Sequence, residues 1–323
     1  MLRRSSLAII AAGLALFGAT AAHAAYPDKP IRLIVPWAPG GSTDAIARAI
    51  AQRMTESLGQ SVVVDNRSGA SGQIGTDAAA KSAPDGYTLA IVELPHAIAP
   101  AVVAKLPYDL LRDFTPISMV GTSPLVLFAT PSDFKTGDMK AFLQRAKSGR
   151  APLAVAHSGA GSSSHLAAEV LAARGSFRYI PVPYRGSAPA LTDVAAGMVA
   201  AHFATLASGS SLQGAGKLSP LMITGPSRMP ALPGVPTAKE VGIDGMDFNQ
   251  WWAVVAPATT PVEIVERLRA AVVAALNHPA TRERLNTLGV DLKGSTRDEL
   301  RSFMRNEVER WGAIASKAGV KPE

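Results

Sequence analysis

Cysteine is absent from the 323-residue sequence, which also has few aromatic residues (6%) and a modest charged fraction (18%). Without cysteine the chain has no thiolate nucleophile, no zinc–thiolate cluster and no redox pair. Apolar residues still make up 47% of the sequence, and a chain of this length buries one large core or two medium ones. The composition therefore excludes a disordered tail, a collagen-like repeat and a disulfide scaffold.

Long apolar runs are also scarce, and the one that stands out lies at the N-terminus. Arg3 and Arg4 precede an uncharged stretch over 7–22, which ends in Ala22-His23-Ala24. A basic end, a short apolar core and an Ala-x-Ala site predict a secretory signal peptide over residues 1–24. The stretch is shorter than the roughly 20 residues that span a membrane, which disfavours a permanent anchor. We therefore expect the mature protein to lie in the bacterial periplasm. The two arginines do not distinguish the general export route from the twin-arginine route.

The net charge of +7 favours an anionic partner. Lysine and arginine are scattered singly, however, and nowhere form a basic stretch interleaved with aromatic residues. No nucleic-acid partner is therefore expected. Two explanations of the positive charge therefore remain: a small anionic ligand, or a basic surface that is simply solvated.

Short β-branched runs alternate with amphipathic segments along the chain. Two such series, divided near Leu125, predict two α/β domains, each with a mainly parallel sheet flanked by helices. A stretch rich in proline and glycine over 224–236 predicts an irregular connection, and three helices follow the last strand. The pattern predicts strands over 31–35, 62–64, 87–92, 125–129, 153–156, 180–182, 199–203, 221–223 and 251–256, and helices over 44–58, 76–83, 139–148, 165–174 and 188–197.

Three glycine- and serine-rich loops follow predicted strands, over 36–44, 66–72 and 157–164. Glycine lets another molecule approach the backbone, and the first N–H groups of the next helix have no partner within that helix. Such loops suit an anion, and in open α/β sheets ligands sit beyond the carboxyl ends of the strands. Each loop alone also fits a simple turn with a helix cap. Two of them in separate domains, rich in donors and poor in carboxylates, favour a carboxylate ligand.

The sequence has neither a complete dinucleotide-binding fingerprint nor a complete phosphate-binding loop. A dinucleotide fingerprint that starts at Gly159 and Gly161 would need glycine where Ser164 stands, and Gly216-Lys217 is followed by leucine rather than serine or threonine. The histidines show no metal-binding spacing, so neither a metal nor a cofactor is expected.

The sequence contains few patterns that indicate catalysis. The sequence has no Gly-x-Ser-x-Gly elbow. Ser162 or Ser163 with His165 imitates a nucleophile and its base, which leaves a periplasmic serine hydrolase as the alternative function. Asp44, in the first turn of a predicted helix, fits a helix-capping role better than that of a general base.

Short motifs in a fixed order resemble the tripartite tricarboxylate transporter receptors, also called Bug proteins. The resemblance runs from Tyr26 past Pro261, over nearly the whole mature chain. The motifs that carry it are Tyr26–Ile31, Val35–Asp44, Val64–Gly72, Pro84–Leu89, Tyr108-Asp109, Asp113-Phe114, Ser158–Leu166, Val182–Leu191 and Val235–Glu240.

The resemblance implies a two-lobed, type II periplasmic-binding-protein fold with the ligand cleft between the lobes. Lobe 1 would comprise residues 25–124 and 249–323, and lobe 2 residues 125–248. Such a receptor is not an enzyme; it captures a small organic carboxylate and delivers it to a transporter with one large and one small membrane subunit. We expect it to be a monomer.

In this family, backbone N–H groups and hydroxyls of two strand–helix loops hold the ligand carboxylate. Matching motifs gives Trp37, Gly40, Gly41, Ser42, Thr43, Ala70, Ser71, Ser158, Gly159, Gly161, Ser162 and Ser163 as ligand-binding residues, with Thr205 at the start of a variable stretch lining the second lobe.

Two departures from the family pattern bear on the ligand. Trp37 stands where phenylalanine is frequent, and Glu93-Leu-Pro-His96 replaces small polar residues. A carboxylate at Glu93 would repel a ligand carboxylate, so it either faces away or contacts an amino or hydroxyl group. Whether Glu93, His96, Arg67 or Arg185 touches the ligand stays open. So do the choice among aliphatic, amino and aromatic acids and the choice between uptake and signalling.

Overall fold

The protein is described from a computed structural model that covers residues 26–149, 151–246 and 248–317. The predicted signal peptide lies outside the described residues. In chain order the elements are β1 (Ile31–Val35), α1 (Ser42–Leu58), β2 (Val62–Asn66), α2 (Gln73–Ala80), β3 (Thr88–Glu93), α3 (Leu94–Val102), β4 (Phe114–Pro124), β5 (Val126–Ala129), α4 (Met139–Lys147), β6 (Leu153–His157), α5 (Ser163–Gly175), β7 (Tyr179–Pro183), α6 (Ser187–Ala195), β8 (Ala201–Ala204), α7 (Leu206–Gly214), β9 (Ser219–Ile223), β10 (Asn249–Pro257), α8 (Val262–Asn277), α9 (Pro279–Thr287), β11 (Asp291–Leu292) and α10 (Arg297–Lys317).

The strands form two sheets, with the orders β11-β4-β10-β3-β1-β2 and β7-β6-β8-β5-β9. All strands of the first sheet lie within 31–124 and 249–292, and those of the second within 126–223. This division follows the lobes that we propose, residues 25–124 with 249–323 and residues 125–248. The two-sheet α/β fold class predicted from the sequence is confirmed.

Each sheet is mainly parallel, as predicted, but β10 and β11 in the first sheet and β5 in the second run against the other strands. In the first sheet β1 pairs in parallel with β2 and β3, whereas β10 is antiparallel to β3 and β4, and β11 to β4. In the second, β6 is parallel to β7 and β8, and β5 is antiparallel to β8 and β9. The cause is chain routing: β4 leads out of the first sheet into β5, and β10 leads back, so these strands run in opposite directions.

Burial explains the strand and helix at the start of the first lobe. Ile31, Leu33, Ile34 and Val35 of β1 are fully buried, as expected for a strand covered on both faces. Helix α1 buries an apolar stripe against the sheet and α8. It ends at Gly59, whose positive φ of 70° permits the left-handed cap in which its N–H donates to Thr55 O at 3.0 Å.

The two sheets are joined where Leu125 separates β4 from β5. Leu125 N–H donates to the Thr224 hydroxyl, and Thr224 N–H donates back to Leu125 O, both at 2.9 Å. The same Thr224 hydroxyl donates to Phe248 O at 2.9 Å, just before β10. One buried threonine therefore ties together the outgoing and returning connections between the lobes.

Several elements differ from the sequence-based prediction. Residues 94–102, for which the sequence pattern predicts no helix, form α3, and Pro95 lies in its first turn, where a helix tolerates proline. Residues 206–214 form α7, which the sequence pattern did not indicate, and the helix predicted over 76–83 lies over Gln73–Ala80. Helix α10 begins with a capping box, in which Thr296 and Glu299 bond each other's backbone N–H groups at 2.8 and 3.3 Å. None of the described helices has the length and apolar character to cross a membrane.

Candidate functional site

A cavity of about 50 Å³ lies where the two lobes meet. Its walls follow the carboxyl ends of β1, β3, β6 and β8, which is where ligands bind in open α/β sheets. The residues that line it are Trp37, Ala38, Gly41, Ser42, Thr43, Glu93, Pro95, Leu125, Ser158, Ser162, Ser163, Ser187, Phe203, Ala204, Thr205 and Gln250.

Four helices begin at this cavity. Helix α1 of the first lobe starts at Ser42, while α5, α6 and α7 of the second lobe start at Ser163, Ser187 and Leu206. Each helix N-terminus presents free N–H groups and a partial positive charge of about half a proton. These helix starts suit an anion, and no lysine, arginine or histidine lines the cavity among the described residues.

Serine hydroxyls shape the second-lobe side of the cavity. The Ser158 N–H donates to Ser164 Oγ at 2.9 Å, and the Ser158 and Ser187 hydroxyls are 3.1 Å apart. Ser162 is the N-cap of α5, and its Oγ accepts from the backbone N–H of His165 at 3.3 Å. These contacts hold the start of α5 and leave hydroxyls facing the cavity.

The contacts of Ser162 also bear on the hydrolase alternative. Within the described chain no hydrogen bond joins the Ser162 hydroxyl to the His165 ring, whose Nδ1 accepts instead from the Gly161 N–H at 3.3 Å. A nucleophile needs its base within hydrogen-bond reach. The Ser162 hydroxyl instead caps α5, and His165 lies in the first turn of that helix.

The first-lobe loop is braced by Asp44. Its carboxylate accepts from the Gly40 N–H and from Asn66 Nδ2, both at 3.0 Å, and pairs with Arg48 at 2.9 Å. Burial raises the pKa of Asp44, but the hydrogen bonds from Arg48, Gly40 and Asn66 outweigh it and hold the pKa below its usual range. Asp44 is therefore ionised, and its carboxylate is engaged by Gly40, Asn66 and Arg48. This agrees with the capping role predicted from the sequence.

Glu93 is the only ionisable residue among the described residues that line the cavity, and it is 3% exposed. Its Oε2 accepts from the Thr43 hydroxyl at 2.8 Å and from Gln250 Nε2 at 2.6 Å. Trp252 Nε1 donates in turn to Thr43 Oγ1 at 3.1 Å. Burial raises the pKa of Glu93 to about 7, partly opposed by the hydrogen bonds from Thr43 and Gln250. Glu93 therefore lines the cavity while its Oε2 is held by Thr43 and Gln250.

His96 lies behind Glu93 and does not line the cavity. Its Nδ1 accepts from the Glu93 N–H at 3.0 Å, and its Nε2 is 2.8 Å from the Thr76 hydroxyl. Burial lowers the pKa of His96 to about 4, so the ring is neutral, and these partners assign the proton to Nε2. His96 therefore holds the backbone of Glu93 rather than a ligand.

Three lining residues carry a buried polar atom without a hydrogen-bond partner among the described residues. These atoms are Trp37 Nε1, Thr205 Oγ1 and Gln250 Oε1. A buried polar group left unpaired costs about 1–3 kcal/mol, so its partner is normally found in water or a ligand. All three atoms belong to residues that line the same cavity.

The lobes touch beside the cavity. The Ser71 hydroxyl donates to Ala160 O at 2.7 Å, and the Ser42 N–H donates to Ser208 Oγ at 2.9 Å. Each bond joins one of the proposed lobes to the other.

Of the thirteen predicted ligand-binding residues, the structure brings eight to the cavity: Trp37, Gly41, Ser42, Thr43, Ser158, Ser162, Ser163 and Thr205. The other five, Gly40, Ala70, Ser71, Gly159 and Gly161, do not line it. Their backbone and side chains brace loops or bridge the lobes, as the N–H groups of Gly40 and Gly161 illustrate. Ligand contact for the eight stays a prediction.

Two arginines left open by the sequence lie elsewhere. Arg67 pairs with Asp65 at 2.7 Å. Arg185 lines a separate surface depression with Tyr184 and Pro189. Neither lines the cavity between the lobes.

Sequence reasoning missed seven lining residues: Ala38, Pro95, Leu125, Ser187, Phe203, Ala204 and Gln250. Ser187 follows a strand and a glycine, the same pattern as the predicted loops, and that signal was available. Gln250 had no local signal, because its partner Glu93 is 157 residues away in sequence.

Two lobes that enclose a cavity at strand ends and helix starts define a solute-binding protein of the periplasmic type. Within the described part of the chain, no group of three or more histidine or acidic side chains is arranged to hold a metal ion. The family model for the tripartite tricarboxylate transporter family receptor matches residues 46–320. The chain belongs to this receptor family, whose role is solute binding rather than catalysis.

Individual relatives are similar to this chain over nearly its full length. Protein BugT of Bordetella pertussis is 38% identical over 319 residues, covering 98% of each chain. The solved structure of the periplasmic binding protein BugD is 31% identical, with a TM-score of 0.88 over 92% of this chain and 100% of that one. MatC of Rhodopseudomonas palustris, solved with bound malate, is 33% identical, with a TM-score of 0.85 over 90% of this chain and 100% of MatC.

Proposed function

We propose that this protein captures a small organic carboxylate in the cavity between its lobes and delivers it to a tripartite tricarboxylate transporter. One observation carries the proposal: four helix N-termini, one from lobe 1 and three from lobe 2, begin at a cavity with no cationic side chain among its described lining residues. Backbone N–H groups at helix starts bind carboxylates without a counter-charge from lysine or arginine.

Donors on both lobes explain how ligand binding would drive closure. Ser42 and Thr43 lie on lobe 1, whereas Ser158, Ser163 and Thr205 lie on lobe 2. A carboxylate held from both sides binds the closed form better than the open one, and a ligand shifts the equilibrium by that difference in affinity. Closure brings in the contacts from Ser71 to Ala160 and from Ser42 to Ser208. The ligand-binding residues that we propose are the eight predicted residues at the cavity, joined by Glu93, Ser187 and Gln250.

The compartment and partner follow from the family and the N-terminus. Residues 1–24 are proposed to direct export to the periplasm and to be removed there. The loaded receptor would then meet a membrane transporter with one large and one small integral subunit. It acts as a monomer in this proposal, since one chain supplies both walls of the cavity. MatC, with its bound malate, is a related example of a small carboxylate as ligand.

A thermal-shift screen of the purified protein tests the proposal. Organic acids are compared with neutral sugars and divalent metal ions, and any positive ligand is confirmed by calorimetry. A ligand at 100 times its dissociation constant adds about 2.7 kcal/mol of stability, which raises the melting temperature by several degrees. A shift with a sugar or a metal ion, and none with any carboxylate, would refute the proposed function.

A further inference from the structure

Two histidines lie at the ends of the lobe 2 loop that contributes to the cavity. His157 is the last residue of β6, and His165 lies in the first turn of α5. Their rings stack, with centroids 4.4 Å apart and an angle of 25° between the planes. Neither ring lines the cavity, whereas Ser158, Ser162 and Ser163 between them do. The two rings therefore contact each other outside the cavity and join the two ends of its lobe 2 loop.

Each ring accepts a hydrogen bond from the backbone of that loop. The Gly159 N–H donates to His157 Nδ1 at 3.2 Å, and the Gly161 N–H donates to His165 Nδ1 at 3.3 Å. A ring nitrogen accepts a hydrogen bond only when it carries no proton, so these contacts assign both rings as neutral, with the proton on Nε2. A protonated imidazole has only donors and cannot make either contact.

The loop that the histidines hold also reaches lobe 1. Ala160, between the two glycines, accepts the 2.7 Å hydrogen bond from the Ser71 hydroxyl. A Cβ on Gly161 would lie 3.1 Å from a methyl group of Val102 in α3. Neither Ser71 nor Val102 carries a charge. A shift of the loop therefore changes both the cavity wall over 158–163 and the contact between the lobes.

Three other titratable groups lie around the histidine pair, all of them in lobe 2. Glu169, one turn further along α5, has its Oε1 3.6 Å from His165 Nε2 and accepts a hydrogen bond from the Tyr179 hydroxyl of β7. In β8, burial and a charge on the nearby His157 both lower the pKa of His202. Burial also lowers the pKa of His157 and of His165, and the Glu169 carboxylate only partly opposes this. The surroundings of the pair therefore favour neutral rings at neutral pH.

We propose that His157 and His165 are positioning residues: as neutral rings they hold the loop over 158–163 in the geometry that binds the ligand, and protonation of the pair in acid lowers ligand affinity. This inference rests on the proposed function and adds a pH control to its site. The bound form needs both hydrogen bonds from N–H to Nδ1, whereas the loop of the unbound form can shift and let a ring take up a proton. Affinity therefore falls as the pH drops below the pKa of the unbound pair.

The direction of the pH effect identifies its cause. A protonated histidine would attract an anionic ligand, so charge attraction alone would strengthen binding in acid. Loss of the two acceptors weakens binding in acid instead. The two causes therefore predict opposite changes in affinity.

Calorimetry over a range from about pH 7.5 down to about pH 5 tests the inference. The probe is whichever acid of the thermal-shift screen binds most tightly, with succinate, L-malate, L-glutamate, adipate and benzoate as the first set. Each variant is compared with the wild type at the same pH. Titration of the acid itself, of Glu93 and of the other histidines then cancels in the comparison.

Replacement of both histidines by asparagine separates protonation from hydrogen bonding. The asparagine Oδ1 takes the place of Nδ1 as an acceptor but does not take up a proton in this pH range. The double variant His157→Asn/His165→Asn should bind within about threefold of the wild type at neutral pH, and the wild type should lose about fivefold or more in affinity relative to it in acid. His278→Asn is the matched control, because His278 precedes α9 and does not line the cavity. This control should show the same loss in acid as the wild type.

His165→Phe tests the hydrogen bond to the loop at neutral pH. Phenylalanine keeps an aromatic ring against His157 but offers no acceptor to the Gly161 N–H. The variant should bind about tenfold or more weakly, because a loop N–H is left unpaired, and His165→Asn should restore the affinity to within about threefold of the wild type. Circular dichroism and thermal melting verify folding. If His165→Phe does not fold, the asparagine variants still decide the outcome.

The outcomes separate this inference from the proposed function. The same pH profile for the wild type and the double asparagine variant overturns the inference, and so does tighter binding by the wild type in acid. Wild-type affinity in His165→Phe also overturns it, because the loop would then not depend on the ring. In each of these cases an organic acid still binds, and the receptor function stands. If no organic acid binds and a sugar or metal ion does, the proposed function falls, and the inference with it.

Discussion

The Ser71 hydroxyl donates a 2.7 Å hydrogen bond to the backbone oxygen of Ala160, across the boundary between the two lobes. Ser71 follows β2 in the first sheet, and Ala160 lies in the loop between β6 and α5 of the second. The bond exists only when the lobes are together. If the proposed closure accompanies ligand binding, we expect this bond to contribute to the free energy of closure and, through it, to ligand affinity.

Removing this hydroxyl should weaken ligand binding. We expect Ser71→Ala to lower the affinity about fivefold, because a hydrogen bond of about 1 kcal/mol is lost from the closed form alone. Ser82→Ala is the matched control, since the Ser82 hydroxyl bonds Ala78 O within the same lobe. Calorimetry measures both variants. Equal affinities for Ser71→Ala and the wild type would show that this contact does not favour closure.

Adding a single carbon opposite Ser71 should hold the cleft open. A Cβ on Gly159 would lie 2.5 Å from Ser71 Oγ, and the backbone there has a φ of +116° that favours glycine. We expect Gly159→Ala to lower ligand affinity by about tenfold or more and to increase the radius of gyration in small-angle X-ray scattering. Gly216→Ala is the control, because it also has a positive φ but meets no atom within 4 Å. The prediction fails if both variants behave alike.

Gly41→Val should abolish binding without unfolding the protein. Gly41 lines the cavity, its φ is −81°, and a Cβ there would meet nothing within 4 Å. The added side chain therefore occupies ligand space instead of displacing a neighbour. The melting temperature without ligand should stay within about 4 °C of the wild type, equivalent to a change of about 1 kcal/mol. Retained ligand affinity in calorimetry would contradict the place assigned to this loop.

Ser162→Ala distinguishes a receptor from a hydrolase. Ser162 caps α5, so the variant should lose about 1 kcal/mol of stability and bind ligand a few times more weakly. Ser163→Ala is a useful comparison, because Ser163 lines the same cavity but is not the N-cap. Ligand binding is measured by calorimetry and esterase activity with a generic ester. An esterase activity in the wild type that disappears in Ser162→Ala would overturn the receptor assignment.

Glu93 should make stability fall as the pH rises. Burial raises the pKa of Glu93 from 4.5 to about 7, so between these values the folded protein keeps a proton that the unfolded chain has released. The free energy of unfolding therefore decreases through this window, by roughly 3 kcal/mol in total, and stays lower above pH 7. Glu93→Gln removes the effect. Its stability relative to the wild type should grow from pH 5 to pH 8.

Two buried histidines act in the opposite direction and must be separated from Glu93. Burial lowers the pKa of His96 and of His202 to about 4, so each favours the folded state more as the pH rises from 4 to 6.5. Both histidines are present in the wild type and in Glu93→Gln, so their contributions cancel in the difference between the two free energies of unfolding. Denaturant unfolding of the two proteins at several pH values gives that difference, and a value independent of pH would contradict the burial of the Glu93 charge.

Local patterns in the sequence determined the elements and much of the site. The sequence pattern correctly predicted a strand, a glycine-rich turn and a helix over residues 31–58. Strand burial, turn glycines and helix caps depend on residues that are near neighbours in the sequence. The loop over 157–164 was located for the same reason. Helices α3 and α7 were missed, because proline at 95 and serines and glycine at 206–214 lower helix propensity, and packing overrides it.

Only the tertiary structure decided which of these loops share one cavity and which residues from distant parts of the chain complete its lining. The direction of β4 and β10 depends on how the chain passes between lobes, which no local pattern records. Glu93 was visible in the sequence as a departure from the family pattern, but its orientation and its partner Gln250 were not. Hydrogen bonds and burial between residues far apart in sequence arise only when the chain folds. The sequence therefore predicted an anion site from its loops, whereas the tertiary structure brought Glu93 and Gln250 together at the wall of the cavity.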